Sequence, residues 1–173
     1  MEKEHLYEIS KDKADHEIFR ACLPVLKKKA LRGRNRYAMI EDGYLYCTDS
    51  LRIHKGKLQG IYDNGFYEPI KNTKGLVIIK SVNESINYPD TSFIFNQPDH
   101  KTIVNDEKFG DTNFAKMLAI IIRNLPEKFT INPDFIKAVK GTFSVKIHPK
   151  KLAPVLFESE LVNIAIMPII FEY

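Results

Sequence analysis

Polar and apolar positions alternate from His5 to Ile9, which predicts a first strand. The spacing then changes. Ile18, Phe19, Cys22, Leu23, Leu26 and Ala30 recur at helical intervals, so a helix over 15–30 is expected, with Asp15 as N-cap and Glu17 near its positive end. Pro24 lies inside that pattern and predicts a kink or a later start. Residues 37–40 and 44–48 read as the arms of a hairpin around Glu41-Asp42-Gly43, because Asp-Gly supplies the positive φ of a tight turn. A third strand is expected over 51–58.

The pattern loosens after that. Asp63-Asn64-Gly65 marks a turn, and residues 76–80 form a short buried strand. Residues 87–110 read as a long loop with one or two short strands. Asp111-Thr112-Asn113 offers a cap for a helix from Phe114 to about Leu125, which Pro126 ends. Beyond it the reading is strand 128–131, helix 133–140, and strands 142–148, 153–158 and 161–171. Pro133 opens the helix and Gly141 follows it. Both ends of the chain therefore carry the order β-α-β-β-β, repeated in arrangement and not in residue identity.

Composition narrows the class. A chain of 173 residues, 44% hydrophobic and 28% charged, has ample core material for an ordered α+β protein. Cys22 and Cys47 sit in apolar surroundings without CxxC or Cys/His spacing, so they read as reduced core thiols. The N-terminus carries charges and no signal-like apolar run. The longest apolar run, Met117 to Ile122, is far shorter than the ~20 residues a membrane helix needs. A soluble, cytoplasmic protein without a membrane partner is expected.

The net charge of +4 says less than where the charge lies. No acidic residue falls between Glu17 and Glu41, while Arg20, Lys27, Lys28, Lys29, Arg32, Arg34 and Arg36 all do. Lys27 to Lys29 would also sit well at the negative end of the first helix, a purely structural reason for them. The Arg32-Gly33-Arg34-Asn35-Arg36 loop has no such reason, and phosphate contact is the better reading there. In the second repeat Lys137 and Lys140, three apart on a helix, would share a face.

Two motifs carry a family resemblance. Thr48-Asp49-Ser50-Leu51-Arg52-Ile53 resembles the Thr-Asp-Gly-His-Arg-Leu turn of bacterial DNA polymerase sliding clamps. Ile166-Met167-Pro168-Ile169-Ile170 resembles their Val-Met-Pro-Met-Arg-Leu ending, and Tyr88-Pro89-Asp90 resembles a recurrent clamp loop. Ser50 stands where the family has Gly, Leu51 where it has His, and Ile170 where it has Arg. The resemblance implies one DNA-clamp-like α+β domain over 1–173. It would hold two β-α-β-β-β units with antiparallel sheets and helices on one side, at 1–58 and 128–173, joined by a 59–127 connector with an extra helix. A clamp subunit has three such domains and two subunits close a ring, so a chain with room for one domain would need several copies to encircle DNA.

In the family the turn and the Met-Pro strand line an apolar groove that captures short peptides of replication and repair proteins. Carried over, that groove would comprise Thr48, Leu51, Arg52, Ile53, Ala165 and Met167. Ile53, Ala165 and Met167 also read as ordinary strand core. Clamps line their DNA channel with basic helices that touch backbone without reading bases, in accord with the basic stretch. The expected function is a non-catalytic module that contacts DNA backbone, such peptides, or both, with no cofactor. A clamp relative kept only for protein–protein contact is a further reading.

The rival is a small metal-dependent nuclease using Asp90, Asp106 and Lys108, which mimic a PD…(D/E)xK arrangement that holds Mg²⁺ beside a scissile phosphate. Asp106 to Lys108 lies in a polar stretch without strand alternation, which weakens the match. The five histidines are scattered without zinc-ligand spacing, and His54 reads as a surface strand residue. No Walker loop, GxSxG or GxGxxG occurs.

Overall fold

The computed structural model describes residues 4–27, 29–30, 32–96, 98–110, 112–149 and 153–170. Lys28 lies outside the described residues. The chain divides into two compact units, Met1–Pro89 and Asp90–Tyr173.

The first unit contains β1 (Leu6–Ser10), α1 (His16–Cys22), β2 (Ala38–Glu41), β3 (Tyr44–Thr48), β4 (Arg52–Lys57), β5 (Gly65–Asn72) and β6 (Leu76–Val82). Its strands order as β1-β6-β5-β2-β3-β4, with every pair antiparallel. Asp42 and Gly43 both take positive φ, 50° and 76°, and close the β2–β3 hairpin as their residue types demand. Helix α1 packs on β3, β4 and β6. Its approach to β4 is close at Gly56, where a Cβ would lie 2.3 Å from Ile18 Cγ2.

Helix α1 is shorter than the expected 15–30. It ends at Cys22 and tightens into a 3-10 turn over Leu23–Val25, and Leu26 is already extended at φ −71°, ψ 145°. Pro24 has no N–H for the carbonyl of Arg20, so the ladder stops there. Lys27 and Lys29 therefore follow the helix at a distance and do not decorate its negative end.

The second unit contains α2 (Thr91–Phe95), β7 (Lys101–Phe109), α3 (Phe114–Asn124), β8 (Phe129–Thr130), α4 (Pro133–Ala138), β9 (Gly141–Ile147), β10 (Val155–Glu158), β11 (Val162–Ile166) and β12 (Ile169–Ile170). Strands β11, β10, β9 and β7 lie side by side in that order, while β12 pairs with β8 in a separate ribbon. Phe109, Phe143 and Phe157 meet edge to face at the centre of this unit, with centroids 5.6–6.3 Å apart.

Both units thus carry the expected β-α-β-β-β run in an antiparallel α+β fold. The boundaries differ from a 59–127 connector. Strands β5 and β6 belong to the first unit, where β6 pairs with β1, and β7 and α3 belong to the second. Two strands were hidden in the sequence for physical reasons. β5 contains Pro69 and a register shift between Pro69 and Lys71. β7 is polar, lies at the edge of its sheet, and shifts register twice, with Asp106 at φ 46°. The expected strand 161–171 is two strands, broken where Pro168 cannot donate to a ladder. Helix α4 ends at Ala138 with Val139 extended, so Lys140 is not on it and does not share a helical face with Lys137.

Candidate functional site

The connection between α1 and β2 carries the basic residues. Gly33–Asn35 forms one 3-10 turn, and the carbonyl of Asn35 accepts the amide of Lys27 at 2.7 Å, pinning the loop to the chain that enters it. Arg36 is committed within its own unit. Its guanidinium lies 3.7 Å from Glu68 Oε1 and sits over the Tyr37 ring at 5.1 Å. Arg34 Nε donates to Ser50 Oγ at 3.3 Å, and Ser50 Oγ donates to Asn35 Oδ1 at 2.8 Å. Arg32, Lys27 and Lys29 are exposed, and Arg20 is half-buried in the last turn of α1. The structure therefore brings Arg34 and Asn35 against Ser50 of the Thr48–Ile53 segment, a juxtaposition no spacing in the sequence announces.

The turn from β3 to β4 is built by its own side chains. Thr48 Oγ1 donates to the carbonyl of Arg52 at 2.8 Å and accepts the amide of Ser50 at 3.0 Å. Asp49 Oδ1 accepts the amides of Leu51 and Arg52, both at 3.1 Å, while Oδ2 takes Arg52 Nε at 3.3 Å. These bonds explain the Thr-Asp pair and the Arg three residues on. Ser50 takes φ 75°, a left-handed conformation that suits glycine, the residue sliding clamps have at this point of the motif. Here the hydroxyl's two bonds hold a serine in that conformation.

The six groove residues are not alike. Leu51 is 44% exposed and stands out from the turn. Arg52 keeps only 18% of its side chain open, against Asp49. Thr48 and Ile53 are buried in the first unit and Ala165 in the second, so they are core and not open lining. Met167 is half-buried, in the break between β11 and β12. Lys137 is exposed in the last turn of α4, and Lys140 is exposed beyond it.

The nuclease residues do not converge on a metal site. Asp90 Oδ1 accepts the amide of Phe93 at 3.3 Å. Asp106 accepts Ser144 Oγ at 2.8 Å from within β7, which also carries Lys108. Among the described residues no group of three or more His, Cys, Asp or Glu is placed to hold a metal ion. Likewise, no helix there is long and apolar enough to cross a membrane. Cys22 and Cys47 are buried and free, and burial pushes both thiols up, away from thiolate chemistry.

Two residues have roles the sequence did not disclose. Asp15 does not cap α1 with its side chain. Its buried carboxylate accepts the amides of Gln59 and Gly60 at 2.7 and 2.8 Å and the Tyr62 hydroxyl at 3.0 Å. Those partners lie far along the chain, beyond the reach of local pattern. His54 is not a plain surface residue. Its Nδ1 lies 3.0 Å from the carbonyl of Ala21, one of the carbonyls left unpaired at the end of α1. Burial lowers its pKa to about 4.

The antiparallel α+β architecture defines a clamp-like fold, and comparison with solved structures agrees. The DNA polymerase III beta subunit of Thermotoga maritima superposes with a TM-score of 0.62 at 10% identity, covering 99% of this chain and 67% of that one. A putative DNA polymerase III beta subunit from Eubacterium rectale gives 0.60 at 11% identity, with 97% and 66% covered. The Helicobacter pylori beta clamp, solved with a DNA ligase peptide, gives 0.57 at 13%, with 98% and 66% covered. The chain spans about two thirds of the length of these proteins, and at such identities the likeness is one of fold. No protein-family model matches the sequence, and no curated protein sequence matches it.

Proposed function

We propose that this chain is a non-catalytic, clamp-like binding module whose first unit contacts the DNA backbone. The observation that carries this reading is the Arg34–Ser50–Asn35 network, which holds an arginine-rich loop against a rigid turn on one polar surface. Guanidiniums fixed in advance lose less entropy on meeting phosphate than free ones do. Arg32 and Arg34 carry most of the contact. Arg20, Lys27 and Lys29 add charge nearby, as does Lys28 in sequence, and Arg36 mainly props the loop through Glu68 and Tyr37. Lys137 and Lys140 offer a separate basic surface in the second unit.

Backbone contact is sequence-independent and weakens as salt rises. The test is fluorescence anisotropy of labelled duplex DNA over a salt series. Arg32→Ala/Arg34→Ala should weaken binding and flatten the salt slope by roughly two counterions' worth. Unchanged binding by the double variant removes the basic loop from the function.

Capture of short peptides is a second reading, favoured by Leu51, an exposed apolar residue on a turn that hydrogen bonds hold still. The Helicobacter pylori clamp, solved with a DNA ligase peptide, supports it by likeness of fold. Leu51→Asp should abolish binding of such a peptide without moving the melting temperature. Full peptide affinity in that variant rejects this reading.

A further inference from the structure

The loop at 32–34 faces the chain that leaves β6, and between them lies an open cavity of about 490 Å³ lined on its far side by residues 84–87. A groove meant only for phosphates gains from guanidiniums and loses from any carboxylate set beside them. Glu84 breaks that rule. Its Oε1 accepts a hydrogen bond from the Tyr37 hydroxyl at 3.3 Å, so the carboxylate is held in place at the cavity. Asn87 is exposed on the same wall and offers both donor and acceptor. Ile86 supplies an apolar surface that comes close to Gly33, where a Cβ would lie 3.3 Å from Ile86 Cγ1. Arg34 is aimed by Ser50, and Arg32 is exposed.

A ligand that suits all these groups has an anionic end, an end bearing N–H donors, and a flat body of a few hundred Å³. A nucleotide unit has all three. In a duplex a base amino group keeps only its major-groove N–H, at the floor of a groove, whereas an unpaired nucleotide can enter a cavity of this size and present its whole Watson–Crick edge to the carboxylate. We infer that this cavity takes one unpaired nucleotide of a nucleic-acid strand, with its phosphate at Arg32 and Arg34 and a base amino group donating to Glu84. The inference rests on the DNA reading above and adds which form of DNA is bound.

The test compares binding of labelled oligo-dC, oligo-dT and a blunt duplex to wild type, Arg32→Ala and Glu84→Gln, at low salt. Oligo-dC should bind more tightly than the duplex. It should also exceed oligo-dT, whose base lacks an exocyclic amine, by about five-fold or more. Glu84→Gln should erase the preference for dC over dT, raising oligo-dT and duplex binding modestly but not oligo-dC binding, while Arg32→Ala should weaken every DNA. Equal binding of dC and dT, or a uniform gain for all DNAs in Glu84→Gln, overturns the inference, because Glu84 is then only a repelling charge. Free deoxycytidine monophosphate binding as tightly as the strand overturns the assignment to a strand. Duplex binding without single-strand preference rejects this inference alone, whereas no binding of any DNA rejects the DNA reading with it.

Discussion

The two β-α-β-β-β runs differ most in what joins helix to strand. In the second unit, Val139 and Lys140 suffice to link α4 to β9. In the first, the chain travels from Cys22 to Ala38, and that detour holds the basic loop. The β-turns that follow use the same device. Ser159 Oγ donates to the carbonyl of Val162 at 2.7 Å and accepts its amide at 3.0 Å, as Thr48 does for its own turn. Only the turn at Thr48 adds an acid, an arginine and a link to a neighbouring loop. One order of elements thus yields an arginine-rich loop tied to a turn in one unit and a two-residue link in the other, and the difference lies in the connections.

The largest break in that comparison is expected at the helix starts. Asp15→Ala would strip the amides of Gln59 and Gly60 and the Tyr62 hydroxyl of their acceptor, at a cost of about 4 kcal/mol. Asp134→Ala, at the exposed start of α4, should cost about 0.5 kcal/mol. Urea denaturation of the two variants measures both, and equal midpoints would remove Asp15 as a tie between distant segments.

Gly56→Ala comes next. The added methyl meets Ile18 at 2.3 Å, so α1 must lift from β4, and a loss of about 3 kcal/mol is expected. In an Ile18→Ala background, which lacks the clashing Cγ2, part of the cost of Gly56→Ala should be recovered. No recovery in the double variant would show that the contact is not the cause.

Acid should weaken the first unit through His54. Burial holds the folded imidazole at about 4, below its ordinary 6.5, so the unfolded chain takes up the proton first. Stability is intact above the unfolded value and falls as pH drops from there toward the folded one. The loss at about pH 4.5 should approach 2 kcal/mol, below the full shift because the ring keeps part of its surface in solvent. His54→Gln should flatten that part of the pH profile, and an unchanged slope would assign the loss to carboxylates instead.

The smallest effect separates the two turns. Ser159→Gly removes hydrogen bonds without relieving strain and should cost about 1 kcal/mol. Ser50→Gly also removes hydrogen bonds but relieves a left-handed backbone, so its net change should stay within about 0.5 kcal/mol. Thermal melts that rank them the other way would mean Ser50 is not strained.

Much of the fold was legible, and the exceptions have causes. The β2–β3 hairpin, helix α3 and the Pro133 start of α4 follow from Asp-Gly, apolar periodicity and proline placement, all local signals. Strand β7 was not, because this edge strand buries only Val104 and Phe109, and two register shifts between paired positions erase any regular alternation. At the site, the arginine-rich loop and the Thr-Asp turn were each visible, but not the bond that ties Arg52 to Asp49, and of the two readings open for Ile53 the buried core is the one the packing chose.

By itself, the sequence determined the β-α-β-β-β order at both ends, the concentration of charge between Glu17 and Glu41, and the turn chemistry of Thr48 to Arg52, since each depends on neighbours within a few residues. Tertiary structure alone decided that Arg34 and Asn35 meet Ser50, that Asp15 serves Gln59 to Tyr62, that His54 lies under the end of α1, and that Glu84 stands across a cavity from Arg32. Those pairings join segments that are distant in the chain, and only the register and packing of the sheet bring them near one another.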